Sequence, residues 1–145
     1  MKKMDKRGFS LVELAIGLAV VTILILAVSV SSGIQDNARV QAAANSVRAL
    51  RSATENYLVS GRMNYTGVSV DVLKASKFLP DNFSMTGTNP WGGNFVLGPN
   101  SDATRFDISL LGVKQQDADR LSAYFASSSS KTAFDASSGT WTATF

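Results

Sequence analysis

The chain contains no cysteine and no histidine. Those two absences exclude thiol nucleophiles, imidazole general bases, Cys/His zinc centres, disulfide staples and any lipid anchor built on cysteine. Only three prolines interrupt the backbone, and all of them lie after residue 79. Charged residues are sparse at 17 % of the chain, and their excess is local. Residues 1–8 hold Lys2, Lys3, Lys6 and Arg7 against Asp5, whereas the other 137 of the 145 residues carry ten charges of each sign. The high isoelectric point therefore belongs to an octapeptide, and a nucleic-acid-binding body is not expected.

What is present falls into four regions. A basic octapeptide, residues 1–8, ends in Gly8. Residues 9–30 then run for 22 residues with Glu13 as the one ionisable side chain. As a helix rising about 1.5 Å per residue this stretch is roughly 33 Å long, enough to cross a bilayer core. Residues 31–60 are polar but helical in spacing: Val40, Ala43, Ala44, Val47, Leu50, Thr54, Tyr57 and Leu58 recur at steps of three and four. No proline breaks either segment, and Gly61 is a suitable stop. The pattern predicts one helix over 9–60, roughly 78 Å long, with an apolar first half and an amphipathic second half.

Residues 61–145 have the texture of a small α+β head. A short helix is expected at 70–76, strands at 94–97 and 105–111 around the loop 98–102, and a second helix at 115–125. The end reads as a hairpin of 132–136 and 140–145 around Ser137-Ser138-Gly139, with Trp141, Ala143 and Phe145 on one face and Phe134 opposite. Asn89-Pro90-Trp91-Gly92-Gly93 reads as a turn that carries a buried aromatic into the first strand.

Residues 1–30 fit three export schemes. One is a secretory signal cut near Ala27-Val28-Ser29, the second a retained signal anchor, and the third a leader cut before the apolar run. Glu13 discriminates among them. A carboxylate in an apolar membrane helix costs on the order of 2–3 kcal/mol at the centre, which neither a plain signal nor a plain anchor offsets. Ser10 and Glu13 also match the S-x-x-E capping box of a helix start, which leaves the basic leader unexplained.

The string Lys6-Arg7-Gly8-Phe9, with Glu13 four residues beyond Phe9, closely resembles the prepilin peptidase site of type IV pilins and pseudopilins. The resemblance implies cleavage after Gly8, methylation of the new N-terminus at Phe9, and a role for Glu13 in neutralising the N-terminal ammonium of a neighbouring subunit. The head is similar to that of type IVb pilins through Tyr65-Thr66-Gly67, Phe78-Leu79-Pro80, Pro90-Trp91-Gly92-Gly93 and Phe106-Asp107-Ile108. A Pro-Trp-Gly turn is shared with type II secretion pseudopilins, so that alternative stays open, as does an exported or membrane-anchored binding domain using residues 1–29 only as a signal. The disulfide common in pilin heads cannot form here, and Ala118 stands where one of its cysteines is expected.

The resemblance thus implies a non-enzymatic structural subunit without cofactor or metal. Its partners would be copies of itself, a prepilin peptidase, and an assembly platform with its ATPase. The precursor would lie in the inner membrane and the product in an extracellular pilus, with adhesion, conjugation, motility, DNA uptake and secretion all left open as its use. Three further patterns carry little weight. Ser128-Ser129-Ser130-Lys131 matches S-x-x-K inside a serine tract. Asp102, Asp107, Asp117, Asp119 and Asp135 follow no calcium-loop spacing. Asn64-Tyr65-Thr66 and Asn82-Phe83-Ser84 are short glycosylation sequons.

Overall fold

A computed structural model describes residues 11–84 and 88–145; within 11–34, it describes the side chains of Val12, Ala15, Leu18, Ala19, Val20 and Val21. The first helix, α1, runs from Leu11 to Val59. The chain divides into two compact units, residues 1–37 and residues 38–145. In the first, every described residue is helical. Among the described residues no helix is long and apolar enough to cross a membrane, and most side chains of the apolar run 9–30 lie outside the description.

The second unit begins with the amphipathic part of α1. Val40, Ala43, Ala44, Val47, Leu50, Ala53, Thr54 and Tyr57 are buried at helical spacing, and Thr54 satisfies its hydroxyl on the Leu50 carbonyl at 2.8 Å. Leu58, expected on that face, is half-buried. Helix α2 spans Val70–Ala75 and is capped by the Ser69 side chain, and α3 spans Gln115–Phe125. The strands among the described residues are β1 (Phe95–Pro99), β2 (Phe106–Leu110), β3 (Lys131–Asp135) and β4 (Thr140–Thr144).

All strand pairs are antiparallel, in the order β1-β2-β4-β3, which makes β4 an inner strand. Ile108 faces Ala143, Leu110 faces Trp141, and Phe134 faces Trp141 from the other side. Inward residues of the strands, including Phe95, Phe106, Ile108, Leu110, Trp141 and Ala143, form one buried cluster with α1 and with Ala118, Leu121 and Phe125 of α3. Phe106 lies between Tyr65 and Phe145, with ring centroids at 4.7 and 5.6 Å. The architecture is α+β, as the sequence pattern predicts.

Beyond shifts of one residue at other element ends, the structure departs from the sequence reading in β1, the C-terminal hairpin and one side chain. Strand β1 continues through Gly98 and Pro99, which the spacing assigns to a loop. Its outer side is an edge, where a proline's missing N–H breaks no ladder bond. The C-terminal hairpin starts and ends one residue earlier than expected, because Asp135 organises the turn. Its carboxylate accepts from the Ser137 N–H at 2.9 Å, the Ser137 hydroxyl at 2.6 Å and the Ser138 hydroxyl at 2.8 Å, which places Ala136 outside the strand. Trp91, read as a buried aromatic, is only half-buried.

Candidate functional site

The turn at 89–93 is organised by Asn89 rather than by the aromatic. Pro90 and Trp91 are the central residues of a β-turn closed by the Gly92 N–H on the Asn89 carbonyl at 2.9 Å. Asparagine first, proline second and glycine fourth are the residues a type I turn favours. The Asn89 side chain is buried and fully used. Its Oδ1 accepts from the Trp91 N–H at 3.0 Å and the Gly93 N–H at 2.8 Å, and its Nδ2 donates to the Leu111 carbonyl at 2.6 Å. The turn is thereby tied to the residue that follows β2. Gly93 lies so close to that segment that an added Cβ would fall 2.0 Å from the Leu111 oxygen.

A second tie runs to α3. The Trp91 indole Nε1 donates to Asp117 Oδ2 at 2.9 Å, and Arg120 Nη1 approaches Asp117 Oδ1 at 4.0 Å. Asp117 lies in the first turn of α3, where the helix dipole favours a negative charge, and its side chain is only 3 % exposed. The other tryptophan is anchored on the same helix, with Trp141 Nε1 donating to Ser122 Oγ at 3.0 Å. Both indoles therefore hold α3, one from the loop before β1 and one from the inner strand β4.

Of the residues singled out in the sequence, Pro90, Trp91, Gly92 and Gly93 sit together in this turn. Gly8 and Phe9 lie outside the described residues. Glu13 is within α1, but its side chain is also outside them. Sequence reasoning missed the two polar hubs. Asn89 was legible as the residue opening an Asn-Pro turn. Asp117 was legible from its place on the 117–118–121–125 stripe that faces the core.

The remaining acids are taken up locally. Asp102 bonds the N–H and hydroxyl of Thr104, and those bonds lower its pKa below the usual carboxylate value. Asp107 accepts from Asn100 Nδ2 and the Thr144 hydroxyl, and Asp119 accepts from Gln115. Hydrogen bonds from the Ser137 and Ser138 hydroxyls and the Ser137 N–H lower the Asp135 carboxyl to about 2. Among the described residues, no group of three or more His, Cys, Asp or Glu is placed to hold a metal ion. Ser128 and Lys131 fall in a turn and the start of β3, and the Ser128 carbonyl accepts from Arg51 at 2.8 Å.

Comparison with known proteins adds two family matches and two relatives. The prokaryotic N-terminal methylation motif matches residues 3–29, and the bundlin family matches residues 32–145. The chain is 32 % identical over 120 residues to the major structural subunit of bundle-forming pilus of Escherichia coli O127:H6 (strain E2348/69 / EPEC). It matches the subunit of the same description from Escherichia coli O111:H- to the same extent. Each alignment covers 76 % of this chain and 59 % of the relative, so the chain spans about three-fifths of the length of those relatives.

Proposed function

The chain belongs to the bundlin family, and on that premise we propose that it is a structural subunit of a type IVb-like pilus, polymerising through its N-terminal helix into an extracellular filament. The observation that carries this reading is the succession of two matches along one chain. A methylation motif over 3–29 is followed directly by a bundlin head over 32–145, and α1 runs through the junction between them. A secretory signal or plain anchor would not need the first match, and a pseudopilin would not need the second.

The mechanism is assembly rather than a reaction. The apolar run holds the precursor in the inner membrane with the basic leader on the cytoplasmic side, following the positive-inside rule. A prepilin peptidase cuts between Gly8 and Phe9 and methylates the new N-terminus. An assembly platform and its ATPase then transfer the helix from lipid into a bundle of identical helices. Both surroundings are apolar, so burial changes little, and helix packing and polar pairing decide the exchange. Glu13 supplies the pairing. Its carboxylate and a neighbour's N-terminal ammonium attract strongly at low dielectric, and either one alone is penalised. One axial offset brings the two charges together, which fixes the register.

N-terminal mass spectrometry of protein sheared from cells tests the reading. The expected first residue is N-methylated Phe9, and a chain beginning at Met1 or Val30 would overturn it. Glu13→Val should leave cleavage intact and hold the helix more firmly in lipid, while filament yield collapses.

A further inference from the structure

Three large apolar side chains stand in solvent among the described residues of the 38–145 unit: Val59, Met63 and Val96. Val59 is 84 % exposed and Met63 99 % exposed, and they flank Arg62 where the chain leaves α1. Val96 projects from β1, the edge strand, and lines an open groove of about 590 Å³ between α2, residues 81–84 and β1. The same unit thus presents exposed apolar side chains in one place, the Val59–Met63 knob, and in another a largely polar groove lined in part by Val70, Phe83 and Val96. A knob seated in its own groove would not be exposed, so the two are not partners within one copy.

Charge points to the same pairing. Arg62 lies over the Tyr57 ring, with its Cζ 4.3 Å from the centroid, and has no carboxylate partner among the described residues. On the groove rim, Asp81 is engaged by Lys77 at 2.8 Å, whereas the exposed Asp71 carboxylate has no ion pair among the described residues. Lys74, one turn along α2, lines the same groove and disfavours an approaching cation on its side, so Arg62 is directed to the Asp71 end.

We propose that the Val59–Met63 knob of one copy seats in the α2–β1 groove of the next, with Met63 against Val70, Phe83 and Val96 and Arg62 paired with Asp71. Methionine suits the role because its unbranched thioether adapts to an irregular, partly polar slot. A contact between two different patches of one molecule is heterologous and generates an open polymer when its rotation does not close. The inference rests on the filament reading and adds a head-to-head contact outside the helical core.

The absence of cysteine makes the test clean. In filaments assembled from the full chain, Met63→Cys combined with Asp71→Cys should give, after mild oxidation, a ladder of covalent multimers on a non-reducing gel. Either single variant should give no ladder. Independently, Arg62→Asp should lower filament yield several-fold, and adding Asp71→Arg should restore it. All four substitutions fall on exposed side chains, so folding is not at issue. Normal filaments without a ladder, or failure of the charge swap to restore yield, would overturn the head contact and leave the filament reading standing. Absence of the wild-type chain from any filament would overturn both.

Discussion

The Trp91 indole and the Asp117 carboxylate meet at 2.9 Å across 26 positions of sequence, joining a surface turn to the first turn of α3. A hydrogen bond to a charged acceptor contributes about 1.5–3 kcal/mol, roughly twice a neutral one. In a soluble fragment lacking residues 1–33, Trp91→Phe and Asp117→Ala should therefore couple. A double-mutant cycle by chemical denaturation should return about 1.5–3 kcal/mol, and a coupling near zero would remove the bond from the account.

Neighbouring glycines in the same turn should respond differently. An added Cβ at Gly93 meets the Leu111 backbone oxygen at 2.0 Å, and neither backbone can yield without breaking the Asn89 bonds. Gly92 has open space and only a positive φ of 80°. Gly92→Ala should cost about 1 kcal/mol through conformation alone. Gly93→Ala should cost about 3 kcal/mol or leave the head unfolded, as overpacking against rigid atoms does. Thermal melts of the two variants give the comparison directly.

Trp141 is fully buried, rests against Phe125 at 5.7 Å between ring centroids, and bonds Ser122. Its removal should cost about 3–5 kcal/mol. For a head of this size that corresponds to a fall in melting temperature of more than about 10 °C. Reductant should have no effect on either melt, since the chain has no thiol. In a head without a disulfide, the inner strand and its aromatic take over the work of a covalent tie.

The Asp135 carboxyl should titrate at about 2 in the folded hairpin, against an ordinary value of 3.8. Because the folded value is the lower one, the stabilisation is fully present above pH 3.8 and is lost as pH falls through about 2. Side-chain carboxyl shifts followed by NMR between pH 5 and pH 1.5 should show that midpoint. Asp135→Asn should abolish the pH dependence of the Ser137 amide over the same interval.

Local elements were legible in the sequence because their signals are local. The 115–125 helix matches its spacing residue for residue, and the alternation set the buried face of β4 at Trp141 and Ala143, with Phe145 half-buried just past the strand. The path of β1 past Pro99 was not legible, since it depends on β1 being an edge, and strand order is a property of long-range pairing. Asp117 looked like a candidate oxygen ligand because a carboxylate in isolation carries no sign of a partner. The distant Trp91 N–H gives it a structural role instead. Gly8, Phe9 and Glu13 were readable as a motif, and the role proposed for them lies in recognition by another protein rather than in this fold.

The inner position of β4 imposes an order of events on the growing chain. Among the described residues β3 pairs with β4 alone and β2 has β1 on its other side, so residues 140–144 join two halves that share no other ladder there. Until that segment has emerged and paired with both, β2 keeps an open edge beside Phe106, Ile108 and Leu110, and the core that β1 and β2 share with α1 and α3 lacks Trp141 and Ala143. Completion of the head sheet is then a late event in the synthesis of residues 38–145, and a translation product stopped before Thr140 should be a substrate for proteolysis rather than a folded head.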